Sequence, residues 1–194
     1  MTMIAKEDEW VEWHRGYAVD PQRSLRLLGV QEQIRRAIDR CPPGPIRLVS
    51  ICAGDGRDVL GVLSAHPRAR EVHGRLVDLS VPLVDAGRRE IDRLGVRGIE
   101  FLRADAGSWA TYAGAVPADI VLACGVFGNI TDADVHATIS RLPELCARGA
   151  TVVWTRGQFA PDLAPQIRAW FAEVGFSELE FLTIPGTTSS VGSL

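Results

Sequence analysis

The stretch LVSICAGDGRD at residues 48–58 decides the fold of this 194-residue chain. An apolar segment runs directly into a Gly-x-Gly turn, and a helix-forming sequence follows at once. This pattern is typical of the first unit of a doubly wound sheet, in which glycines permit the tight turn and let a ligand approach the backbone. We therefore expect Gly54 and Gly56 at the carboxyl end of the first strand, beside a helix start with unpaired N–H groups.

The rest of the chain alternates short apolar segments with amphipathic ones, which predicts an α/β fold: a Rossmann-like, mostly parallel sheet with helices on both faces. The predicted strands are Ile46–Ile51, Gly74–Asp78, Ile99–Ala104, Asp119–Cys124, Ala150–Thr155 and Leu179–Ile184, with a short further strand within Ser189–Leu194. The predicted helices are Asp8–Val19, one that begins at Asp20-Pro21 and includes Ile38, Asp58–Ala65, Val81–Leu94, Thr131 to about Cys146 with a break at Pro143, and Leu163–Val174. We expect a single domain, with residues 1–44 as a helical lid segment and residues 45–194 as the core.

The composition of the chain indicates which classes of partner and which cellular location to expect. The formal net charge of -3 gives no overall attraction to nucleic acid or to an anionic membrane. The amino-terminal residues are too acidic for a signal peptide, and no apolar run is long enough to span a membrane. Four scattered cysteines without a C-x-x-C pair indicate buried thiols in a reducing compartment. We expect a cytoplasmic protein with no metal site, and the oligomeric state stays open.

Two carboxylates follow later strands of the predicted sheet. Asp78 ends the second strand about 22 residues after Gly56, where a doubly wound sheet lets it accept hydrogen bonds from both hydroxyls of a ribose. The alternative is that Asp78 caps the following helix, although Ser80 could supply that cap. Asp105 follows the third strand and could accept a hydrogen bond from an adenine amino group. A dinucleotide is disfavoured, because Val59 occupies the third small position of the G-x-G-x-x-G pattern.

From about Ile46 to Ile184 the chain resembles the class I S-adenosylmethionine-dependent methyltransferases. The matching positions are the glycine turn, Asp78 and Asp105. The resemblance implies S-adenosylmethionine as cofactor across the carboxyl ends of strands one to four, and an antiparallel final strand. More narrowly, residues 50–63 and 124–130 look like a bacterial, largely actinobacterial, small-molecule group. The implied cofactor-binding residues are Ser50, Ala53, Gly54, Asp55, Gly56, Asp78, Leu79, Asp105, Ala106 and Cys124.

The chain departs from that family pattern at two positions. Ser50 stands where the family has an acidic residue, and Cys52 stands at the first glycine. The lost carboxylate removes a partner for the amino-acid end of the cofactor. Asp55, Asp58 or an amino-terminal residue could substitute for it.

Two segments are candidates for the substrate side. Trp10, Trp13, His14 and Tyr17 share one face of the first helix, with rings as walls and His14 as a candidate general base. The loop after strand four offers Phe127 to face the methyl group and Asn129 for hydrogen bonding. The alternatives are a helix that simply packs on the sheet and an ordinary strand-to-helix loop. This loop lacks the N-P-P-Y signature of methyltransferases that act on adenine or glutamine amino groups.

Methyl transfer to an oxygen or nitrogen of a small metabolite is the function that this pattern favours. The second hypothesis is a protein that binds the cofactor without methylating, in a regulatory role or as catalyst of a rearrangement. Methylation of RNA or protein is a weaker hypothesis, because the chain has no basic stretch and no added recognition domain.

Overall fold

The computed structural model describes residues 11–14, 16–158 and 160–194, which form a seven-stranded sheet flanked by helices. The strands are β1 (Ile46–Ile51), β2 (Val72–Asp78), β3 (Ile99–Arg103), β4 (Ala118–Ala123), β5 (Cys146–Gly157), β6 (Glu180–Thr183) and β7 (Ser189–Ser193). The helices are α1 (Pro21–Arg40), α2 (Arg57–Leu63), α3 (Val81–Leu94), α4 (Asp132–Arg141) and α5 (Ala164–Glu173). Short 3-10 turns lie at Gly16–Ala18, Ala69–Glu71, Trp109–Tyr112 and Leu142–Glu144.

The strand order is β3-β2-β1-β4-β5-β7-β6. Strands β1 to β5 pair in parallel, and β7 runs antiparallel to both β5 and β6. The predicted fold class, with its antiparallel final strand, is therefore confirmed. The order reverses between β1 and β4, and ligands of such sheets bind outside the carboxyl ends of the strands at this point.

Apolar side chains cover both faces of the sheet and divide the core in two. One half packs α1, α2 and α3 on the sheet, and the other packs α4 and α5 on the opposite face. Ile34, Ala37 and Ile38 of α1 are completely buried in the first half. The part of the predicted lid segment that forms α1 is therefore packed into the core, and the division at residue 44 stays a prediction.

Two boundaries differ from the prediction for local reasons. Helix α4 ends at Arg141 because Pro143 has no N–H to continue it, and the chain passes into a 3-10 turn. Strand β5 begins at Cys146, earlier than the predicted Ala150, because its register on β4 shifts between Ala118 and Ile120. The predicted amino-terminal helix ends before the predicted Val19, and its predicted start at Asp8 lies outside the described residues. Residues 11–14 are helical, a 3-10 turn follows, and Asp20 caps α1 by accepting a hydrogen bond from the N–H of Gln22.

Among the described residues, no helix combines the length and the apolar character that crossing a membrane requires.

Candidate functional site

A cavity of about 380 Å³ lies at the carboxyl edge of the sheet, where the strand order reverses. Its walls come from the turn after β1, the start of α3, the end of β4, α1 and the residues before α1. The predicted site residues that line it are Trp13, His14, Tyr17, Ala53, Gly54, Asp55, Asp78, Leu79, Cys124 and Asn129. Local motifs from distant parts of the sequence thus meet at one edge of the sheet.

The turn after β1 is built from left-handed backbone conformations. Cys52, Gly54 and Gly56 have φ angles of 54, 61 and 72°. A Cβ on Gly56 would lie 2.7 Å from Leu76 and 2.9 Å from Phe101, so packing as well as conformation requires glycine there. Cys52 adopts a conformation that L side chains rarely take, which explains why the related pattern has glycine at this position.

Asp78 joins the turn to the next helix. Its Oδ2 accepts a hydrogen bond from the N–H of Gly54 at 2.8 Å, and its Oδ1 accepts one from the N–H of Ser80 at 2.9 Å. Burial raises the pKa of this carboxyl, and the two N–H groups oppose that rise. Of the two side chains that could cap α3, Ser80 does not, because its buried hydroxyl has no hydrogen-bond partner among the described residues, while Asp78 accepts from the N–H of Ser80. The carboxylate therefore faces the glycine turn and also serves the helix start.

Two further carboxylates in the cavity have different surroundings. Asp55 accepts hydrogen bonds from Arg57 Nε at 2.9 and 3.0 Å and another from Arg57 Nη2. Burial pushes the pKa of Asp55 up, but this guanidinium brings it below its ordinary value. Asp58 is half-buried and makes no salt bridge to any described residue. Burial raises its pKa to about 6, with the charge of Asp55 adding to the rise and that of Arg26 opposing it.

A set of side chains that the sequence did not single out forms the wall opposite the glycine turn. Arg26 Nη1 donates to the hydroxyl of Tyr17 at 2.8 Å, and Arg26 Nη2 donates to Thr155 Oγ1 at 2.9 Å. The same Thr155 oxygen accepts from the N–H of Gly125 at 2.8 Å. The guanidinium of Arg57 lies 4.3 Å from the centre of the Tyr17 ring. No local pattern could have revealed Arg26, because its partner Thr155 is 129 residues away.

The predicted aromatic face of the amino-terminal segment lies in the same wall. The ring of Trp13 makes edge contacts with the rings of His14 and Tyr17, at centroid distances of 5.1 and 5.0 Å. The His14 ring lies against Gly54, where a Cβ would overlap it, and within Coulombic range of Asp55 and Asp78. Trp10 lies outside the described residues.

Five of the predicted site residues do not line this cavity: Ser50, Gly56, Asp105, Ala106 and Phe127. Ser50 is buried within β1, and Gly56 lies behind the turn. Asp105 is exposed and accepts a hydrogen bond from the N–H of Gly107 at 2.8 Å, while the carbonyl of Ala106 accepts one from Tyr112 at 2.9 Å.

Phe127 is placed differently from its predicted position on the substrate side. It is completely buried and packs against Trp154 and Phe171, with ring centroids 6.2 and 6.3 Å away. This aromatic cluster belongs to the core on the α4 and α5 face of the sheet. Its burial there turns the ring away from the cavity, and the neighbouring Asn129 lines the cavity instead.

A second cavity of about 290 Å³ adjoins the first. The two share Trp13, Arg26, Gly125 and Asn129, which therefore form a common wall. The other lining residues come from the start of α1, the loop after β4, the end of β5 and the turn that leads into β7: Asp20, Gln22, Arg23, Gly128, Thr155, Gly157, Thr188 and Ser189.

The described residues that line the cavities include no group of metal ligands, and their thiols are not ionised. Within the described part of the chain, no three His, Cys, Asp or Glu side chains are grouped to hold a metal ion. Burial raises the pKa of both Cys52 and Cys124, so these thiols are neutral near pH 7. The remaining chemistry available is charge, hydrogen bonding and the His14 imidazole.

A family model described as "Putative methyltransferase" matches residues 21–172. No curated protein sequence matches the chain. Among solved structures, the magnesium protoporphyrin IX methyltransferase of Synechocystis with bound S-adenosylhomocysteine is 14% identical, with a TM-score of 0.75 over 96% of this chain and 93% of that one. A TehB-like S-adenosylmethionine-dependent methyltransferase of Corynebacterium glutamicum is 14% identical, with a TM-score of 0.65 over 96% of each chain. An O-methyltransferase family protein of Burkholderia thailandensis is 16% identical, with a TM-score of 0.70 over 96% of this chain and 61% of that one.

Proposed function

The chain belongs to the methyltransferase family whose model it matches, and from that premise we propose that it transfers the methyl group of S-adenosylmethionine to an oxygen or nitrogen of a small molecule. The observation that carries this proposal is the Asp78 carboxylate, which is hydrogen-bonded to the glycine turn and lines the cavity at the reversal of the strand order. A carboxylate in that position can accept hydrogen bonds from the two hydroxyls of a ribose.

The surroundings of Asp78 fit the rest of a nucleoside. Leu79 lines the cavity next to it and is 59% exposed, which leaves an apolar surface for one face of an adenine ring. Asp105 lies outside the cavity in this structure, so its contact with the adenine amino group stays a prediction.

We assign the amino-acid end of the cofactor to Asp58. Ser50, which replaces the family's acidic residue, is buried within β1 and carries no charge. Of the two acidic candidates that follow the turn, Asp55 is already neutralised by Arg57, whereas Asp58 makes no salt bridge to any described residue. A half-buried carboxylate without a cationic partner gains most from an incoming ammonium group.

The bound cofactor would supply a sulfonium methyl group that reacts by in-line displacement, so the protein mainly has to align the acceptor and exclude water. Trp13 and Tyr17 close the cavity on the side of the amino-terminal segment. The imidazole of His14 is the group in this wall that could take a proton from a hydroxyl acceptor, and that role stays a prediction. A small acceptor suits the adjoining cavity of about 290 Å³, which is too confined for a folded macromolecule. The cytoplasmic location also stays a prediction.

Calorimetric titration with S-adenosylmethionine and S-adenosylhomocysteine tests the proposal directly. We expect both to bind with a dissociation constant in the micromolar range, and S-adenosylhomocysteine to accumulate when an acceptor is present. Absence of binding at millimolar concentration would reject the proposed function. Binding without turnover across a broad panel of hydroxyl, amine and carboxylate acceptors would favour the non-methylating alternative.

A matched pair of ligands isolates the role of Asp58. S-Adenosylhomocysteine carries the amino-acid end, and 5′-methylthioadenosine lacks it. We expect Asp58→Asn to weaken the first ligand by about tenfold, the value of a hydrogen-bonded charge pair, and to leave the second nearly unchanged. Asp55→Asn is the control, because that carboxylate is already paired. Equal losses for the two ligands would refute the assignment of Asp58.

A further inference from the structure

Arg26 places an unmatched positive charge in the wall between the two cavities. Its two hydrogen-bond partners, the Tyr17 hydroxyl and Thr155 Oγ1, are both neutral, and so is the Trp13 ring, whose centre lies 5.6 Å from the guanidinium carbon. No carboxylate among the described residues lies within salt-bridge distance of it, although Asp58 faces it from the first cavity. A half-buried guanidinium held in this way is a site for an incoming anion.

Two other guanidinium groups near the cavities are already neutralised, and a third, the exposed Arg103, lines the first cavity only. Arg23 also lines the second cavity, but its Nε lies 3.0 Å from Asp20 Oδ2, and its Nη1 donates to the carbonyl of Trp13. Arg57, in the first cavity, is paired with Asp55. Among the charged residues that line the second cavity, Arg23 and Asp20 cancel, and the charge of Arg26 remains.

The orientation of Arg26 is fixed by its two neutral partners. Tyr17 holds one terminal nitrogen and Thr155 holds the other, and Thr155 is itself fixed by the N–H of Gly125. A guanidinium has five N–H donors, and these two hydrogen bonds use only two of them. The remaining donors match the paired oxygens of a carboxylate.

We propose that the second cavity binds the methyl acceptor and that the acceptor carries a carboxylate, which Arg26 holds. This inference rests on the proposed function, because it takes the first cavity to be the cofactor site. The indole of Trp13 offers an apolar wall for the remainder of the acceptor, while Asn129 and Thr188 offer polar groups. The volume of about 290 Å³ suits a compact acid of the size of an aromatic amino acid.

The test compares acids with their neutral amides. The probes are 3-phenylpropionate with 3-phenylpropionamide, and hexanoate with hexanamide. Their dissociation constants are measured by saturation-transfer NMR on protein saturated with S-adenosylhomocysteine. We expect each acid to bind at least tenfold more tightly than its amide, because only the acid can form the charged pair with Arg26. Equal affinity of acid and amide would overturn the proposal, as would binding of neither probe to the saturated protein.

Variants locate the preference at one residue. Arg26→Gln should reduce the acid-over-amide ratio to less than about threefold, whereas Arg23→Gln, which removes the same charge from the same cavity, should leave it above about fivefold. Because the readout is a ratio within each variant, a general loss of affinity does not imitate the effect. An unchanged ratio in Arg26→Gln would overturn the proposal.

The thermal unfolding midpoint shows whether Arg26→Gln folds. If it does not, a third variant tests whether Arg26 is responsible for the preference for acids over amides. Arg26→Lys keeps the charge but loses the paired donors, and it should lower the ratio about threefold. If Arg26→Lys kept the acid-over-amide ratio of the wild type, the assignment of the carboxylate site to Arg26 would be overturned. If the wild-type protein does not bind S-adenosylhomocysteine, that result rejects the proposed function and says nothing about the preference for acids.

Discussion

The two cavities are built in different ways, although they share a wall. The first takes all of its carboxylates from two short segments, residues 52–58 and 78–80, and its shape depends on left-handed backbone. The second takes its polar groups from the start of α1, the loop after β4, the end of β5 and the turn that leads into β7, and more than a hundred residues separate the first of these segments from the others. The lining of the first cavity has both negative and positive side chains, the three carboxylates of Asp55, Asp58 and Asp78 and several guanidinium groups. The lining of the second cavity has one more positive than negative side chain.

This difference explains why one cavity could be recognised from the sequence and the other could not. A turn that must approach a ligand imposes glycine and aspartate at fixed spacings, and such spacings are visible in the sequence. A pocket assembled from side chains of distant elements leaves no such spacing. On the function proposed above, the first cavity would hold a cofactor shared across a family, and the second would determine which acceptor this chain binds.

The largest effect is expected where backbone conformation and packing coincide. Gly56→Ala should lower the free energy of unfolding by about 3 kcal/mol, from left-handed strain of about 1–2 kcal/mol plus overlap with Leu76 and Phe101. Urea denaturation measures this loss in the free energy of unfolding. Gly114→Ala is the control, because Gly114 has a φ of 84° with nothing within 4 Å of a Cβ, and it should lose only the strain. Equal losses would show that packing does not constrain the turn.

The next effect concerns the ribose contact. Asp78→Ala should weaken S-adenosylhomocysteine binding by about 2–3 kcal/mol, because hydroxyl groups would lose a charged acceptor. The exposed Asp105 lies outside the cavity, so Asp105→Ala should cost less than about threefold in affinity. Calorimetry gives both values. A loss in Asp105→Ala as large as that in Asp78→Ala would contradict the placement of the cofactor in the cavity as it stands here.

A smaller effect tests the wall between the cavities. Thr155→Val keeps the volume of a buried side chain but leaves the N–H of Gly125 and one N–H of Arg26 without their acceptor. We expect a loss of about 1–2 kcal/mol in the free energy of unfolding, measured with urea. Thr151→Val, on the same strand, is the comparison, because the Thr151 side chain makes no hydrogen bond to a described residue. The idea of a hydrogen-bonded wall fails if both variants have the stability of the wild type.

The smallest effect is a pH dependence that involves Asp58. Burial raises its pKa to about 6, so the carboxyl is mostly ionised at pH 7.5 and mostly protonated at pH 5. Only the ionised form attracts an ammonium group, so the affinity for S-adenosylhomocysteine should fall severalfold as the pH is lowered through 6. The other ionisable groups around it are Asp55, Tyr17, Arg26, Arg57 and His14.

Calorimetric titrations of wild type and Asp58→Asn between pH 5 and 7.5 separate these contributions. The variant should lose most of the fall in affinity, and whatever slope remains belongs to the other groups. A fall of the same size in Asp58→Asn would assign the pH dependence to one of them, His14 first.

The sequence predicted the sheet, and it predicted many of the residues that line the first cavity, because both depend on short-range patterns. The bounds of β1 and α3 match the prediction, and the apolar run and the Pro at the helix start are local signals. Sequence spacing also placed Asp78 beside Gly54. It could not show that Asp78 accepts from the N–H of Ser80 as well, because the choice between two capping oxygens depends on their final positions.

The remaining errors have a common physical origin in tertiary packing. Phe127 and Asn129 are two residues apart in one loop, and nothing in the sequence tells which side chain faces the cavity. The aromatic cluster with Trp154 and Phe171 decides it by burying Phe127. Arg26 belongs to no recognisable motif in α1 and was missed, because its role depends on Tyr17 and Thr155.

The common wall of Trp13, Arg26, Gly125 and Asn129 has a thermodynamic consequence. A molecule that fills one cavity restricts the side chains that its neighbour must also contact, so the second molecule has less conformational freedom left to remove. Linkage then requires that each ligand raise the affinity of the other by the same factor. Donor and acceptor would thus cooperate without any movement of the sheet, through a few side chains that belong to both sites.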